Sequence, residues 1–311
     1  MPHDIIVTGI GLLGSRLMPL LFNEGYNPIG IDMATDVDPI KGEVKQIDIT
    51  DLNALERFFK SEKPEVIFHT AALTNVDKNE TDPDLAYKIN VTGTKNIGLA
   101  AKTVKACVIF VSTDFIFDGK KGMYKETDKP NPISVYGKTK LEAEYELKKT
   151  GVENAIARTA VLYGSFRQRF NFATWVIDSL IAKKPMTLVN DQYNSPTLSE
   201  DLAKALLDIY ESGRREIFHA GGSERINRYD FALKIAKVMD LDPSPMTPIT
   251  TDKLDLKAKR PKDGSLDVSK LARVVGHKML NIDEGLAIVK EQELKRGLDR
   301  KVDIKDIKER K

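Results

Sequence analysis

Short β-branched apolar runs alternate with longer helical stretches through the first half of the chain, with no hairpin turn between them. DIIVTG, NPIGID, EVIFHT and CVIFVST read as strands, and their continuous apolar runs suit strands covered on both faces. Between them, LLGSRLMPLLFNEG, DLNALERFFKSE and PDLAYKINVTGTKNIGLAAKTV carry apolar residues at helical spacing, the first closed by Gly25. Strand, helix, strand, repeated in this way, predicts an α/β chain built on a Rossmann-type doubly wound parallel sheet.

A further helix starts near Ser134 and ENAIARTAVLYG gives one more strand, after which the regularity ends. From Ser165 helices (FNFATWVIDSLIAKK, SEDLAKALLDIYESG, NRYDFALKIAKVMD) mix with short strands and the proline-rich DPSPMTP. Residues 1–163 are therefore assigned to the Rossmann domain, with segments near 197–220 returning to it. Residues 164–196 and 221–290 form a smaller mixed α/β substrate lobe over the carboxyl edge of the sheet, and 291–311 a charged helix or tail. Of the 311 residues 41% are apolar, enough for two lobes. Lys and Arg total 48 against 46 for Asp and Glu, a balance that gives no general attraction to nucleic acid or to a membrane surface. An anionic ligand then needs a local site. No window approaches a run of about 18 apolar residues, so no transmembrane helix is expected. The apolar start IIVTGIGLLGSRLMPLLF lacks a basic leader and contains Arg16, unlike a signal peptide. The single cysteine, Cys107, lies in the apolar run ACVIFV and reads as a buried strand residue, which fits a cytoplasmic protein.

Gly9, Gly11 and Gly14 follow the first strand directly and open the first helix. In that context a GxGxxG pattern predicts a dinucleotide site. Gly9 permits the tight turn, Gly11 the approach of a pyrophosphate to backbone, and Gly14 close packing of helix on strand, while the helix N-terminus adds partial positive charge. Asp32 ends the second strand, where a carboxylate bonds both hydroxyls of the adenosine ribose and repels a 2′-phosphate. NAD(H) is therefore favoured over NADP(H), with Lys41 or a loop shift as the route by which the phosphate is admitted.

Ligands of a doubly wound sheet bind beyond the carboxyl ends of its strands. HTAALTNVD places the small Ala71 and Ala72 at one such end, and VSTDFIFDG places Ser112, Thr113 and Asp114 at the next. Downstream, VYGKTKLEAE sets Tyr136 four residues before Lys140, on one helical face. A phenol near pKa 10 protonates a developing alkoxide poorly unless its phenolate is stabilised, and an ammonium one turn away is expected to lower that pKa and to bond the nicotinamide ribose. A hydroxyl from Thr113 or Ser112 would polarise the carbonyl, and Ser112 is also counted among the residues expected to touch the cofactor. The histidines His3, His69, His219 and His277 lack metal-ligand spacing, and His69 and His219 read as packed or hydrogen-bonded at strand ends; no metal is expected.

VSTDFIFDG with YKETDKPNPISVYGKTKLEAE resembles the extended short-chain dehydrogenase/reductase superfamily and, within it, the dTDP-4-dehydrorhamnose reductase family. The similarity continues in NDQYNSPT (190–197), EIFHAGGSERINRYDFALKIA (216–236) and AKRPKDGSLDVSKL (258–271). The resemblance implies that Tyr136 is the proton donor, Lys140 its partner and Thr113 the hydroxyl that tunes the pair, with Asp114 beside it in the sugar-nucleotide site. It implies further that Gly11, Leu12 and Leu13 form the pyrophosphate turn, Asp32 the ribose carboxylate, Asp48 and Ile49 the adenine pocket, and Ala71, Ala72 and Leu73 the cofactor bed. Gln192, Ser195 and Thr197 are placed near substrate or at the lobe interface. Arg260 is the candidate diphosphate contact, since a guanidinium fork suits that group. Val161 stands where bacterial reductases often carry a tryptophan against the sugar, and Phe115 where tyrosine is common. The implied reaction is NAD(P)H-dependent reduction of a 4-keto nucleotide-linked 6-deoxysugar to dTDP-L-rhamnose; a homodimer is left open.

Rival readings share the scaffold. An epimerase or a reductase of another nucleotide sugar remains, whereas a 4,6-dehydratase expects an acid where Phe115 stands. A non-catalytic subunit resembling the regulatory beta subunit of methionine adenosyltransferase is the third reading, favoured by Asp263 after RPK.

Overall fold

The structure is a computed structural model that describes residues 3–34, 42–165 and 171–296. Lys41 and residues 297–311 of the expected tail lie outside the described residues. Strands β1 (Ile5–Thr8), β2 (Pro28–Asp32), β3 (Val44–Gln46), β4 (Val66–His69), β5 (Cys107–Thr113) and β6 (Asn154–Thr159) join β11 (Ile217–His219) in a seven-stranded sheet of order β11-β6-β5-β4-β1-β2-β3. Every pairing in it is parallel. The order reverses between β1 and β4, so the crevice for a ligand opens there. The short β3 carries no apolar run, with Lys45 and Gln46 exposed at the sheet edge.

Helices cover both faces. On one side α1 (Gly14–Asn23), α8 (Ser199–Glu211) and α10 (Ser269–Val275) pack on Val7, Phe68, Ile109 and Ala157. On the other, α2 (Leu52–Glu62), α5 (Thr94–Val104) and α6 (Val135–Lys149) pack on Ile6, Ile67, Phe110 and Ile156. The caps follow the sequence: Asp51 accepts from Ala54 N–H at the start of α2, Ser134 from Gly137 N–H at the start of α6, and Gly25, at φ 90°, follows α1. The returning strand β11 pairs with β6 and extends the sheet.

The stretch PDLAYKINVTGTKNIGLAAKTV is not one uniform helix. After α3 (Val76–Thr81), α4 (Pro83–Tyr87) passes through a π turn at Lys88–Gly93 into α5. Gly93 lets this turn lie close on Ile49, because a Cβ there would stand 2.6 Å from Cδ1 of Ile49. The smaller lobe gathers α7 (Phe172–Ile181), β8 (Met186–Val189), α9 (Arg228–Val238), β13 (Met246–Ile249) and α11 (Ile282–Arg296) round a separate core that includes Phe172, Ile177, Phe231 and Leu286. The two-stranded pairs β7 (Leu162–Tyr163) with β10 (Thr197–Leu198) and β9 (Tyr193–Asn194) with β12 (Ile226–Asn227) stitch the lobe to the sheet end. Helix α11 begins well before the charged terminal segment, because Ile282, Leu286 and Val289 are buried in the lobe.

Candidate active site

The glycine turn sits at the reversal of strand order. Gly9 adopts φ 80°, and a Cβ on it would stand 2.5 Å from Cα of Ala71, so the turn can lie against the backbone beyond β4 only with glycine at this position. A Cβ on Gly14 would lie 2.3 Å from the carbonyl oxygen of Gly9, whereas one on Gly11 would meet nothing within 4 Å. Gly9 and Gly14 thus serve packing, and Gly11 lines open space before α1, whose N-terminus no side chain caps among the described residues. Leu12 and Leu13 complete the turn. Backbone donors facing open space at a helix start fit a pyrophosphate. Asp32 reaches back to the same turn, its Oδ2 accepting from Ile10 N–H at 2.6 Å and Oδ1 from Ala34 N–H at 3.0 Å.

Asp48 is half-buried and accepts from Thr50 N–H at 2.8 Å, while Ile49 is buried against the π turn. Ala71, Ala72 and Leu73 are half-buried beyond β4. Leu73 N–H donates to Oδ1 of Asn90, and Asn90 Nδ2 donates to Asn79 Oδ1 and to Thr139 Oγ1, each at 3.1 Å. The buried Asn90, turned inward by the π turn, therefore ties this loop to α6. Sequence reading passed over Asn90; an asparagine inside an apolar helical pattern was the available signal.

Beyond β5 the side chains diverge. Thr113 donates to Asp114 Oδ1 at 3.0 Å, accepts from Phe115 N–H, and lies beside the phenol of Tyr136. Ser112 points to the opposite face and donates to Oε1 of Glu144 at 2.6 Å. This corrects the expectation that either hydroxyl could polarise the carbonyl, and the placing of Ser112 at the cofactor: alternation along the strand leaves only Thr113 on the side of the phenol. Tyr136 packs edge-on against Phe115 at 5.5 Å. Burial pushes the phenol up to about 12, against the lowering influence of the Thr113 hydroxyl, and the charge of Asp114 adds to the rise.

Tyr136 and Lys140 share a face of α6, as their spacing predicts, but the expected electrostatic consequence is not met. Lys140 is buried, donates from Nζ to the Val111 carbonyl at 2.8 Å and lies 4.1 Å from the centre of the Phe110 ring. Engaged there, its ammonium does not hold the phenol down. Burial brings Lys140 itself down to about 7, opposed by the negative charge of Glu144.

A pocket opens next to this cluster, lined by Asp114, Phe115, Gln192, Asn194, Arg228 and Arg260. Arg260 pairs with Asp77 at 3.0 Å, and Gln192 donates to Thr251 at 3.0 Å. Arg228, the first residue of α9, escaped the sequence reading; its charge and that of Arg260 bear on each other, and Asp114 faces it. Asp114 is buried and raised to about 7 by that burial, with the Thr113 hydrogen bond and Arg228 opposing. Val161 does not line this pocket. It forms the bend between β6 and β7 at φ 24°, its carbonyl accepting from Thr197 N–H. Ser195 bonds Leu266 N–H, so this serine and threonine hold the lobe junction.

A family model described as the RmlD substrate binding domain matches residues 3–294. A dTDP-4-dehydrorhamnose reductase of Aggregatibacter actinomycetemcomitans is 33% identical, over 88% of this chain and 93% of the relative. The chain belongs to the dTDP-4-dehydrorhamnose reductase family. A solved structure of a dTDP-4-dehydrorhamnose reductase from Bacillus anthracis, in complex with NADP, resembles it with a TM-score of 0.84 at 28% identity, covering 94% of this chain and 100% of that one. The likeness extends to methionine adenosyltransferase 2 subunit beta of Bos taurus, 30% identical over 86% of this chain and 81% of the relative. Among the described residues no helix is long and apolar enough to cross a membrane.

Proposed function

We propose that this chain is an NAD(P)H-dependent reductase of a 4-keto nucleotide-linked deoxysugar, with dTDP-4-dehydro-L-rhamnose, reduced to dTDP-L-rhamnose, as the substrate. The observation that carries the reading is a pocket holding two arginines whose lining residues Asp114 and Phe115 touch Thr113 and Tyr136, at the carboxyl edge of the sheet. Membership of the reductase family supports it.

A bound nicotinamide supplies the hydride, which goes to the carbonyl carbon. Gly11, Leu12 and Leu13 would hold its pyrophosphate, Asp32 the adenosine ribose, Asp48 and Ile49 the adenine, and Ala71, Ala72 and Leu73 the face of the dinucleotide. Tyr136 gives its phenolic proton to the carbonyl oxygen as negative charge develops there. Thr113 steadies that oxygen by hydrogen bonding. Lys140, anchored on the Val111 carbonyl, would offer its ammonium to the nicotinamide ribose. Arg228 and Arg260 suit the diphosphate, and Asp114 and Gln192 the sugar. NADH is the favoured cofactor, because the Asp32 carboxylate stands where a 2′-phosphate would be repelled.

The test is oxidation of NADH and NADPH by the purified chain with 4-keto dTDP-, UDP- and GDP-sugars. Turnover of the dTDP-linked 4-keto sugar, faster with NADH, is expected. Inactivity with the whole panel would overturn the reading in favour of a binding subunit like the methionine adenosyltransferase relative.

A further inference from the structure

Behind the candidate site, on the face of β5 away from the pocket, lies a charged cluster that the mechanism above does not use. Glu144 on α6 is 1% exposed and Arg158 on β6 is 3% exposed. Arg158 donates from Nε to Oε1 of Glu144 at 3.0 Å and from Nη2 to Oε2 at 2.7 Å, a forked pair. Ser112 adds its hydroxyl to Oε1 at 2.6 Å. One carboxylate therefore joins β5, β6 and α6, and each attachment lies close to the chemistry: Ser112 precedes Thr113, and Glu144 stands one helical turn beyond Lys140.

We propose that Glu144 is a positioning residue: through Ser112 and Arg158 it clamps the carboxyl end of β5 to α6, fixing the Thr113 hydroxyl against Tyr136 and Lys140 on its Val111 anchor. The proposal rests on the reductase reading for its kinetic consequences only. A core that needed only volume here would be served by apolar side chains, since a buried ion pair adds little net stability. The groups facing Lys140 are Glu144 from its own helix and His69 from β4, which is neutral and stacks on Phe110 at 5.2 Å. Among the described residues, Glu144 is the one carboxylate whose charge bears on Lys140. Glu144 in turn is faced by Arg158 and Ser112, and Arg158 by the neutral His219 of β11.

Three variants of the full chain test this: Ser112→Ala, Glu144→Gln, and the double change Glu144→Gln with Arg158→Met, which leaves no unpaired buried charge should the single change fail to fold. Ser112→Ala keeps the ion pair and is expected to lower kcat about tenfold with KM for the sugar nucleotide little changed, since the loss is of alignment. Without the Glu144 charge, Lys140 loses its proton more readily. The pH at which NADH affinity declines is therefore expected to move down by about one unit in the folded Glu144 variant. NADH titration by fluorescence needs no sugar, so an unmodified chain without turnover overturns the reductase reading and leaves this titration to decide the role of Glu144. Wild-type kcat in Ser112→Ala together with an unmoved NADH profile in the folded Glu144 variant overturns the proposal.

Discussion

Lys140 carries its ammonium to the main-chain carbonyl of Val111, 2.8 Å away, and not to the phenol of Tyr136 one turn before it on α6. Burial brings the lysine from its ordinary 10.5 to about 7, with Glu144 opposing. If the ammonium holds the nicotinamide ribose, NADH binds well below about pH 7 and progressively less well as the pH rises through it. Fluorescence titration at several pH values checks this. Lys140→Met is expected to bind NADH weakly and without that pH dependence, and an unchanged profile in the variant contradicts the assignment.

Two histidines give the fold an acid limit. His69 is bonded between Thr8 at 2.7 Å and Thr94 at 2.9 Å, and His219 meets the Tyr124 carbonyl at 2.9 Å. Burial, helped by the charges of Lys140 and Arg158 respectively, brings each from 6.5 to about 3. The unfolded chain takes up these protons near pH 6.5 and the folded chain only near 3, so their stabilisation is complete above 6.5 and is lost as the pH falls toward 3. At ~1.4 kcal/mol for each pH unit and residue, the loss reaches several kcal/mol. Urea midpoints are expected to fall steadily from about pH 7 to about pH 4; a flat midpoint across that interval contradicts the account.

Val161 is β-branched at φ 24°, where such a side chain is strained by ~1–3 kcal/mol. It is half-buried, so little packing is lost on truncation. Val161→Gly is expected to raise stability by about 1 kcal/mol, read as a Tm increase of a few degrees in thermal unfolding. A lowered Tm would show that the side chain contributes more than its backbone costs.

Asp32 ties down the glycine turn through Ile10 N–H, and in the proposed reading its carboxylate is the group that a 2′-phosphate would meet. Asp32→Ala is expected to raise the ratio of NADPH to NADH kcat/KM by about tenfold or more, consistent with loss of one close charge repulsion. The absolute rates fall with the turn's order. An unchanged ratio assigns cofactor choice elsewhere.

Much of the scaffold was legible because buried parallel strands and amphipathic helices leave strong periodic signals, and the glycine turn adds fixed spacing. The polar edge strand at Val44–Gln46 and the π turn at Lys88–Gly93 leave none: the first lacks an apolar run, and the second keeps helical periodicity while shifting Asn90 inward. At the site, the shared face of Tyr136 and Lys140 could be counted from sequence. That Lys140 would take the Val111 carbonyl, or that of the two alternating hydroxyls Ser112 would be the one to join Glu144, depends on long-range packing. Arg228 was hidden for the same reason, since only the fold brings the start of α9 beside Arg260 and Asp114.

The central claim is that Tyr136 supplies the proton for reduction of a 4-keto sugar nucleotide. NADH consumption with dTDP-4-dehydro-L-rhamnose, compared between the unmodified chain and Tyr136→Phe, tests it most directly. Loss of general acid catalysis is expected to lower kcat by ~10²–10⁴-fold with NADH affinity nearly intact. Undiminished turnover in the phenylalanine variant would contradict it.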